Sequence, residues 1–444
     1  MNDEYADVVE LEEQVELVAR VAAIDVAKAS AMVCTRLPAE RSPGRRVQRT
    51  FPVKATVAAI DELADHLVCQ GVELVVMEST SNFWRPFFYV LEDRGLKVWL
   101  VNARDVKNVP GRPKTDKLDA IWLAKLAERG MLRASFVPPA PIRALRDLTR
   151  LRTTLLQDRA RYRNRIQDVL EDACLKVSDK KDGPTDLFGA SGRAMLDALV
   201  AGQRDPRALA DLAHARMRAK IPTLVAALDG RFTDHHGYEI GMLLDLHDAL
   251  SVRIEELTAR IEAAISAIDP TPPPDPDHPC RIPLLDRLDE IPGVGRDTAH
   301  AIVAEIGVDM SVFPTPGHLA SWAKLTPRTI QSGNKNTHGP SGKGNGWLKA
   351  PLGQAAMNAG RTKTFLGARY RRIIKHAPKK KAMVAIARNI LEIAWVLVND
   401  PDARFCDLGV DWHERQLNQA RRTRQHVREL EHLGYTVTLA QAAA

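Results

Sequence analysis

The sequence predicts a mixed α/β domain followed by long helices and a basic helical domain. Three observations carry this. Residues 20–101 pass from paired strand-like runs into alternating helices and strands. Two long segments beyond residue 141 repeat apolar residues at helical spacing. Acidic residues vanish over residues 310–391.

Taken in order, an acidic leader (1–19) precedes VAAIDVAKASAMVCTRL, which is apolar and β-branched. A polar turn region, PAERSPGRR, separates it from VQRTFPV, so two or three strands joined by hairpins are expected. ATVAAIDELADHLVCQG has helical apolar spacing and ends in Gly71, a helix stop signal. ELVVMEST is a short buried strand, FWRPFFYVLEDRG a helix, LKVWLVNA a strand and DKLDAIWLAKLAERG a helix. Hairpin strands followed by alternating helices and strands make a mixed sheet. That order suits a ribonuclease-H-like domain over residues 20–136.

Residues 137–268 form a helical region. Ile142 to Val177 is charged and amphipathic. Ile240, Leu243, His247, Leu250, Ile254, Leu257, Ile261, Ala264 and Ile268 alternate spacings of three and four, as a coiled-coil seam requires. His247 on that seam fits a partner-specifying polar core residue. A helical hairpin within one chain gives the same stripe as a dimer interface. DPTPPPDPDHPCRIP (269–283) has seven prolines in 15 residues and is a stiff linker. A basic domain (284–391) and a helical tail (392–444) follow.

With 444 residues the chain exceeds one ordinary core, so two or three domains are expected. Its 45% hydrophobic and 27% charged residues are ordinary for a globular protein. No run of about 18 apolar residues suggests a membrane span. The acidic start is unlike a secretory signal, so a cytoplasmic, nucleoid-associated protein is expected. The five cysteines (Cys34, Cys69, Cys174, Cys280, Cys406) lie singly. That argues against disulfides or structural zinc and for reduced, mostly buried thiols.

Charge placement says more than its total. The 82 residues 310–391 hold 15 Lys and Arg and no acid, where about ten acids would match the chain average. The whole chain carries +7 and that stretch +15, so everything outside sums to −8. A stretch that repels itself over such a length is best matched by a polyanion.

Four carboxylates stand out. Asp25 interrupts an apolar strand, Glu78 ends one, and Asp116 and Asp119 share a face at a helix start. Two unit charges ~4 Å apart repel by about 4 kcal/mol at an effective dielectric near 20. A divalent cation, Mg²⁺ or Mn²⁺, removes that penalty and suits phosphoryl transfer. Taken singly, each has a plainer role as a turn cap, helix N-cap or ion-pair partner.

In IPGVG, Gly293 and Gly295 allow a tight turn close to a phosphate before a helix that offers its N-terminal amides. This helix-hairpin-helix pattern suits sequence-independent DNA contact; a plain helical turn would look alike. RTIQSGNKNTHGPSGKGN carries Ser332 and Ser341, each before a glycine, as a serine nucleophile for phosphoryl transfer needs. Lys335, Lys343 and Lys349 are expected on phosphates. RTKTFLGARYRRIIKHAPKKK brings Arg371, Arg372, Lys379, Lys380 and Lys381 with interleaved Phe365 and Tyr370, a backbone-binding surface with stacking aromatics.

AIDVAKAS, VMEST with FW, VNARDVKNVPGRPKTDKLDA, IPGVG with AEIG, and LASWAKLTPRTIQSG with GKGN together resemble the DEDD-type insertion-sequence transposases related to the Piv DNA invertase. The resemblance covers about residues 20–175 and 284–380. It implies a RuvC-like first domain in which Asp25, Glu78, Asp116 and Asp119 match the family's acidic positions and hold Mg²⁺. It also implies a nucleophilic serine in an SG motif, here Ser332. Asn334 follows where the family usually has a second glycine, and Gly342 stands at a usually basic position, so Ser341 remains the alternative. Many members use a structured non-coding RNA from their own element to pair with donor and target DNA.

The expectation is therefore a homo-oligomeric transposase acting on DNA. A Holliday-junction-resolvase-type nuclease would use the same carboxylates without a protein–DNA bond. A non-catalytic DNA-binding protein would bind regardless of Mg²⁺. An actin-like ATPase is disfavoured for want of a glycine-rich phosphate loop.

Overall fold

A computed structural model describes residues 18–39, 45–79, 81–102, 115–177, 186–269, 282–332 and 335–439. Leader residues 1–17, nearly all of the proline-rich linker (270–281, with Cys280) and the family-like stretch 103–114 lie outside them. The chain divides into two compact units, Met1–Val137 and Pro138–Ala444.

The first unit is a five-stranded mixed sheet with helices on both faces. Its strands are β1 (Val21–Val26), β2 (Ser30–Pro38), β3 (Arg46–Lys54), β4 (Leu74–Ser79) and β5 (Val98–Val101), in the order β3-β2-β1-β4-β5. β1 pairs antiparallel with β2 and parallel with β4. It is central and buried on both faces, so it reads as a near-continuous apolar run.

Alternation sorts its side chains. Ala22, Ile24 and Val26 pack with Val75 and Met77 under α1 (Val57–Cys69) and α2 (Trp84–Asp93). Val21 and Ala23 pack with Leu74 and Val76 under α3 (Asp116–Glu128), through Ala120, Leu123, Ala124 and Ala127. Gly71, with φ +62°, ends α1, and Val72 N–H donates to the Leu67 carbonyl at 3.1 Å. Edge strand β3 exposes Gln48, Arg49 and Lys54, the charged edge that deters strand addition.

The second unit starts with α4 (Ala140–Asp172) and α8 (Asp234–Ile268), which pack antiparallel. Arg152 reaches Thr258 at 3.4 Å and Arg159 reaches Ser251 at 3.2 Å. Between them, α5 (Ala190–Val200), α6 (Pro206–Asp211) and α7 (Ile221–Ala227) cover the hairpin's far end with Leu196, Leu209 and Leu224. The apolar stripe of α8 thus has a partner inside the chain. Ile240, Ile254 and Ile261 are buried, joined by Leu244 and Ile265 rather than by Leu243 and Ala264. His247 stacks on Phe188 at 4.8 Å and its Nδ1 lies 3.0 Å from Asp248 Oδ1, so its polarity is used within this chain.

The rest of the unit consists of α9 (Leu284–Asp289), α10 (Arg296–Ile306), α11 (Pro316–Trp322), a hairpin of β6 (Arg328–Ser332) and β7 (Lys335–Gly339), α12 (Gly346–Ala359), α13 (Phe365–Ile374), α14 (Lys379–Asn399) and α15 (Trp412–His432). Against expectation, one helix is long and apolar enough to cross a membrane, α14. Its Ile386, Ile390, Leu391, Ala394 and Leu397 are buried as the core of this unit. It also runs on to Asn399, past the end of the acid-free stretch, so residue 392 is not an element boundary. Of the four described thiols only Cys34 is buried, which corrects the expectation of mostly buried cysteines.

Polar groups bind α10 to the hairpin. Glu305, 1% exposed, accepts from Arg150 Nε and Nη2 at 2.8 Å each and from Asn345 Nδ2 at 2.6 Å. His300 is wholly buried with its Nδ1 3.1 Å from Arg152 Nη1. Burial, with the Arg152 guanidinium beside it, pushes its imidazole down to about 4. The IPGVG turn has a packing role. Gly293, with φ +89°, lies so close to α12 that a Cβ would meet Ala355 O at 2.3 Å and Ala359 N at 2.6 Å.

Two outcomes follow for stability. Gly293→Ala is expected to cost about 3 kcal/mol, from left-handed backbone strain and overpacking against α12. Gly295→Ala, with open space at its Cβ position, should cost less than ~1 kcal/mol; urea midpoints compare them. His300 has a folded pKa below its unfolded one, so the unfolded chain binds more protons between about 4 and 6.5. Stability should therefore fall as pH drops through that window, and His300→Gln should flatten that part of the pH–stability curve.

Candidate functional site

The register of β1 and β4 sets Asp25 directly opposite Glu78. Adjacent strands lie about 4.8 Å apart, and register partners share a face. Parity with Val21, Ala23, Leu74 and Val76 puts both carboxylates on the α3 face. Glu78 is 7% exposed and Asp25 half-buried.

The direction of α3 brings the other two acids to the same end of the sheet. Its C-terminal Glu128 binds Arg36 at 2.7 Å and Arg46 at 3.0 Å, and Arg36 pairs with Val21 at the start of β1. The Glu128 carbonyl also accepts from Val18 N–H at 3.2 Å. The helix thus runs antiparallel to β1. From Glu128 back to Asp119 it rises about 13 Å, and from Val21 to Asp25 the strand advances about 13 Å. Asp119 comes level with Asp25, and Asp116 lies a turn beyond. Thr115 caps this end, its hydroxyl accepting from Leu118 N–H at 3.3 Å.

All four expected acids thus lie at one end of one face. Among the described residues, no three His, Cys, Asp or Glu side chains are drawn together closely enough to hold a metal ion. The donor set is nonetheless all carboxylate, the hard oxygen type that suits Mg²⁺ or Mn²⁺.

In the second unit the expected glycine-rich loop is largely the β6–β7 hairpin. Ser332 is the last residue of β6 and the register partner of Lys335. The side chains of both, and residues 333–334, are outside the described set. Ser341 is exposed beyond β7, as is Lys343.

Several expected phosphate contacts have other work. Lys349 Nζ donates to the carbonyls of Gly342 (3.1 Å), Lys324 (3.3 Å) and Lys343 (3.4 Å), pinning the loop that carries Ser341. Arg371 donates to the carbonyls of Thr362 (2.9 Å) and Gly360 (3.3 Å). Gly293 faces α12, whereas Gly295 stays open at the N-cap of α10. The aromatics are also committed: Phe365 packs on Trp412 and His413, and Tyr370 lies against Gly360.

Arg372, Lys379, Lys380 and Lys381 are exposed. The three lysines occupy the first turn of α14, where each opposes the helix dipole by about 0.3–1 kcal/mol unless an anion is near. The Glu305–Arg150–Asn345 clamp escaped sequence reasoning. Its only hint is that Glu305 is an acid inside an apolar helix.

Comparisons with known proteins bear on the family. Residues 22–175 match the DEDD transposase model of IS110 elements, and residues 285–371 match the model described as "Transposase IS116/IS110/IS902 family". A probable family 20 transposase of Pseudomonas aeruginosa is 25% identical, covering 73% of this chain and 84% of that protein. A 43.6 kDa protein of insertion element IS110 from Streptomyces coelicolor is 25% identical, covering 77% of this chain and 85% of its own length. A Thermus thermophilus RuvC structure aligns at 15% identity over 26% of this chain and 99% of that one, with a TM-score of 0.21, too slight a likeness to argue from. On the two family matches, the chain belongs to the IS110-type (IS116/IS110/IS902) family of DEDD transposases.

Proposed function

We propose that this chain cuts and rejoins DNA to mobilise its own element, with Asp25, Glu78, Asp116 and Asp119 as a divalent-metal site and Ser332 as nucleophile. The observation that supports it most is the opposition of Asp25 and Glu78 on the α3 face, at the end where α3 begins with Asp116 and Asp119. A bound Mg²⁺ or Mn²⁺ would neutralise these acids and polarise the oxygens of the scissile phosphate.

The chain's own residues supply the rest. Thr115 fixes the first turn of α3, so Asp116 and Asp119 project from one side. The arginines on Glu128 hold the other end of that helix to the sheet. Ser332 Oγ attacks phosphorus and loses its proton to a base. The bridging P–O bond to one sugar breaks, and that sugar oxygen takes up a proton. The phosphoserine ester keeps the bond energy for rejoining, by the reverse attack of a sugar hydroxyl. The basic face of α13 and α14 holds the backbone. Pairing of donor and target through an element-encoded RNA, and assembly of several copies, complete the reading that the family resemblance suggests.

Covalent trapping tests it. The protein is expressed with its native flanking DNA, denatured, and examined for DNA that stays attached. The adduct should form in wild type and Ser341→Ala and disappear in Ser332→Ala and Asp116→Asn. Loss in Ser341→Ala alone would move the nucleophile there. Cleavage without any adduct would point to a resolvase-type nuclease.

A further inference from the structure

The last helix carries charge that the fold does not use. α15 holds Arg415, Arg421, Arg422, Arg424 and Arg428, with no acid between residues 415 and 428. Arg415 is tied back to Asp411 at 3.2 Å and to the Leu408 carbonyl at 2.9 Å. Arg421, Arg422 and Arg428 are exposed and make no hydrogen bond or ion pair among the described residues. The nearby acid Glu429 is engaged by Gln425 at 3.0 Å and lies 3.5 Å from His426.

The root of α15 is fastened to α13. Phe365 meets Trp412 at 5.2 Å and His413 at 4.9 Å, and its N–H donates to Asp407 Oδ1 at 2.9 Å. Beside this aromatic junction, Arg369 Nε and His413 Nε2 are buried and have no hydrogen-bond partner among the described residues. Arg369 and Arg372, three apart, share a face of α13. Burial and then the Arg372 and Arg369 charges lower the His413 imidazole, and burial with Arg372 lowers the Arg369 guanidinium. The carboxylate acting on Arg369 is Glu392, already bound to Arg388 at 2.8 Å. Two guanidiniums and two orphaned buried nitrogens are costly alone, and one anion relieves both.

We propose that α15 and the exposed face of α13 form one phosphodiester-binding surface. Arg369, Arg372 and His413 hold a backbone phosphate at the root of α15, and Arg421, Arg422 and Arg428 follow the same nucleic acid outward. From His413 to Arg428 the helix spans about 22 Å, the axial length of roughly six phosphates on one strand. This rests on membership of a DNA-acting family and needs neither the carboxylate site nor Ser332.

The test is salt-dependent binding by the full chain, without divalent cation so that cleavage plays no part. Fluorescence anisotropy is measured on an arbitrary duplex DNA and a duplex RNA of about 30 base pairs, from ~50 to ~300 mM salt. The variants are Arg421→Ala/Arg422→Ala/Arg428→Ala, in which only exposed side chains change, and Arg369→Gln. The slope of log K against log salt should fall by about two to three for the triple variant and by about one for Arg369→Gln. Affinity at moderate salt should weaken at least tenfold in the triple variant. A response on DNA, RNA or both supports the surface and names its ligand. Unchanged slopes on both overturn it, as does a triple variant whose only change is its sedimentation, which would make α15 a contact between copies.

Discussion

The parallel pairing of β1 with β4 is the constraint on which the candidate active site depends. One register brings Asp25 opposite Glu78, and a slip of one residue would turn one of them to the α1–α2 face. In this register Val21, Ala23, Leu74 and Val76 pack under α3, while Ala22, Ile24, Val26, Val75 and Met77 pack under α1 and α2. The acids occupy the ends of strands whose other members are core. Their position is thus specified by residues that have no part in chemistry. The thirteen residues from Glu128 back to Asp116 then act as a ruler, tied at one end by Arg36 and Arg46.

In the second unit the comparable element is the buried seam between α10 and the α4–α8 hairpin. Glu305 joins two arginines of α4 to Asn345, which also caps α12 by accepting from Trp347 N–H at 3.0 Å. Lys349, one turn further along α12, holds the preceding loop by its carbonyls. A charge inside the hairpin is thereby linked to the segment that carries Ser341 and Lys343. Such a seam is weak as a source of net stability, because desolvation offsets much of the attraction. Its value lies in fixing one arrangement, since Glu305 without its arginines would be an unpaired buried charge.

Much of this was legible in sequence, for physical reasons. Strand and helix order in the first unit followed from period-two and period-3.6 patterns, and Asp25 and Glu78 were visible as acids in apolar strands. The α8 stripe was visible too, but not its partner, because a helix reports only which face is apolar. Gly293 shows the opposite failure. A glycine required by a neighbouring backbone and one required by a phosphate look alike in a sequence, and contact with α12 decides between them. Lys349, Arg371 and Phe365 likewise have contacts within the chain that their sequence setting does not reveal. Basic and aromatic residues in a cationic stretch suggest a ligand, yet these three are bound to carbonyls or rings of their own chain. Arg369 and His413 lie 44 positions apart, and only the fold brings them together.

These internal contacts leave the charge of the acid-free stretch in place. Cations that satisfy carbonyls neutralise nothing, so the net charge of the second unit's acid-free stretch is undiminished. Among the exposed cations, Arg372 and the lysines opening α14 are placed where the protein alone is penalised, by like charge and by the helix dipole. A folded chain keeps such an arrangement at a cost in stability, and a bound polyanion reverses the sign of every one of these terms. The carboxylates at one end of the first unit's sheet pose the same problem with opposite charge, which a small cation would answer under the proposed function. Under the proposed function the two local imbalances are complementary, with metal at the carboxylates and phosphate at the cations. A phosphodiester cut with the help of a divalent cation would answer both.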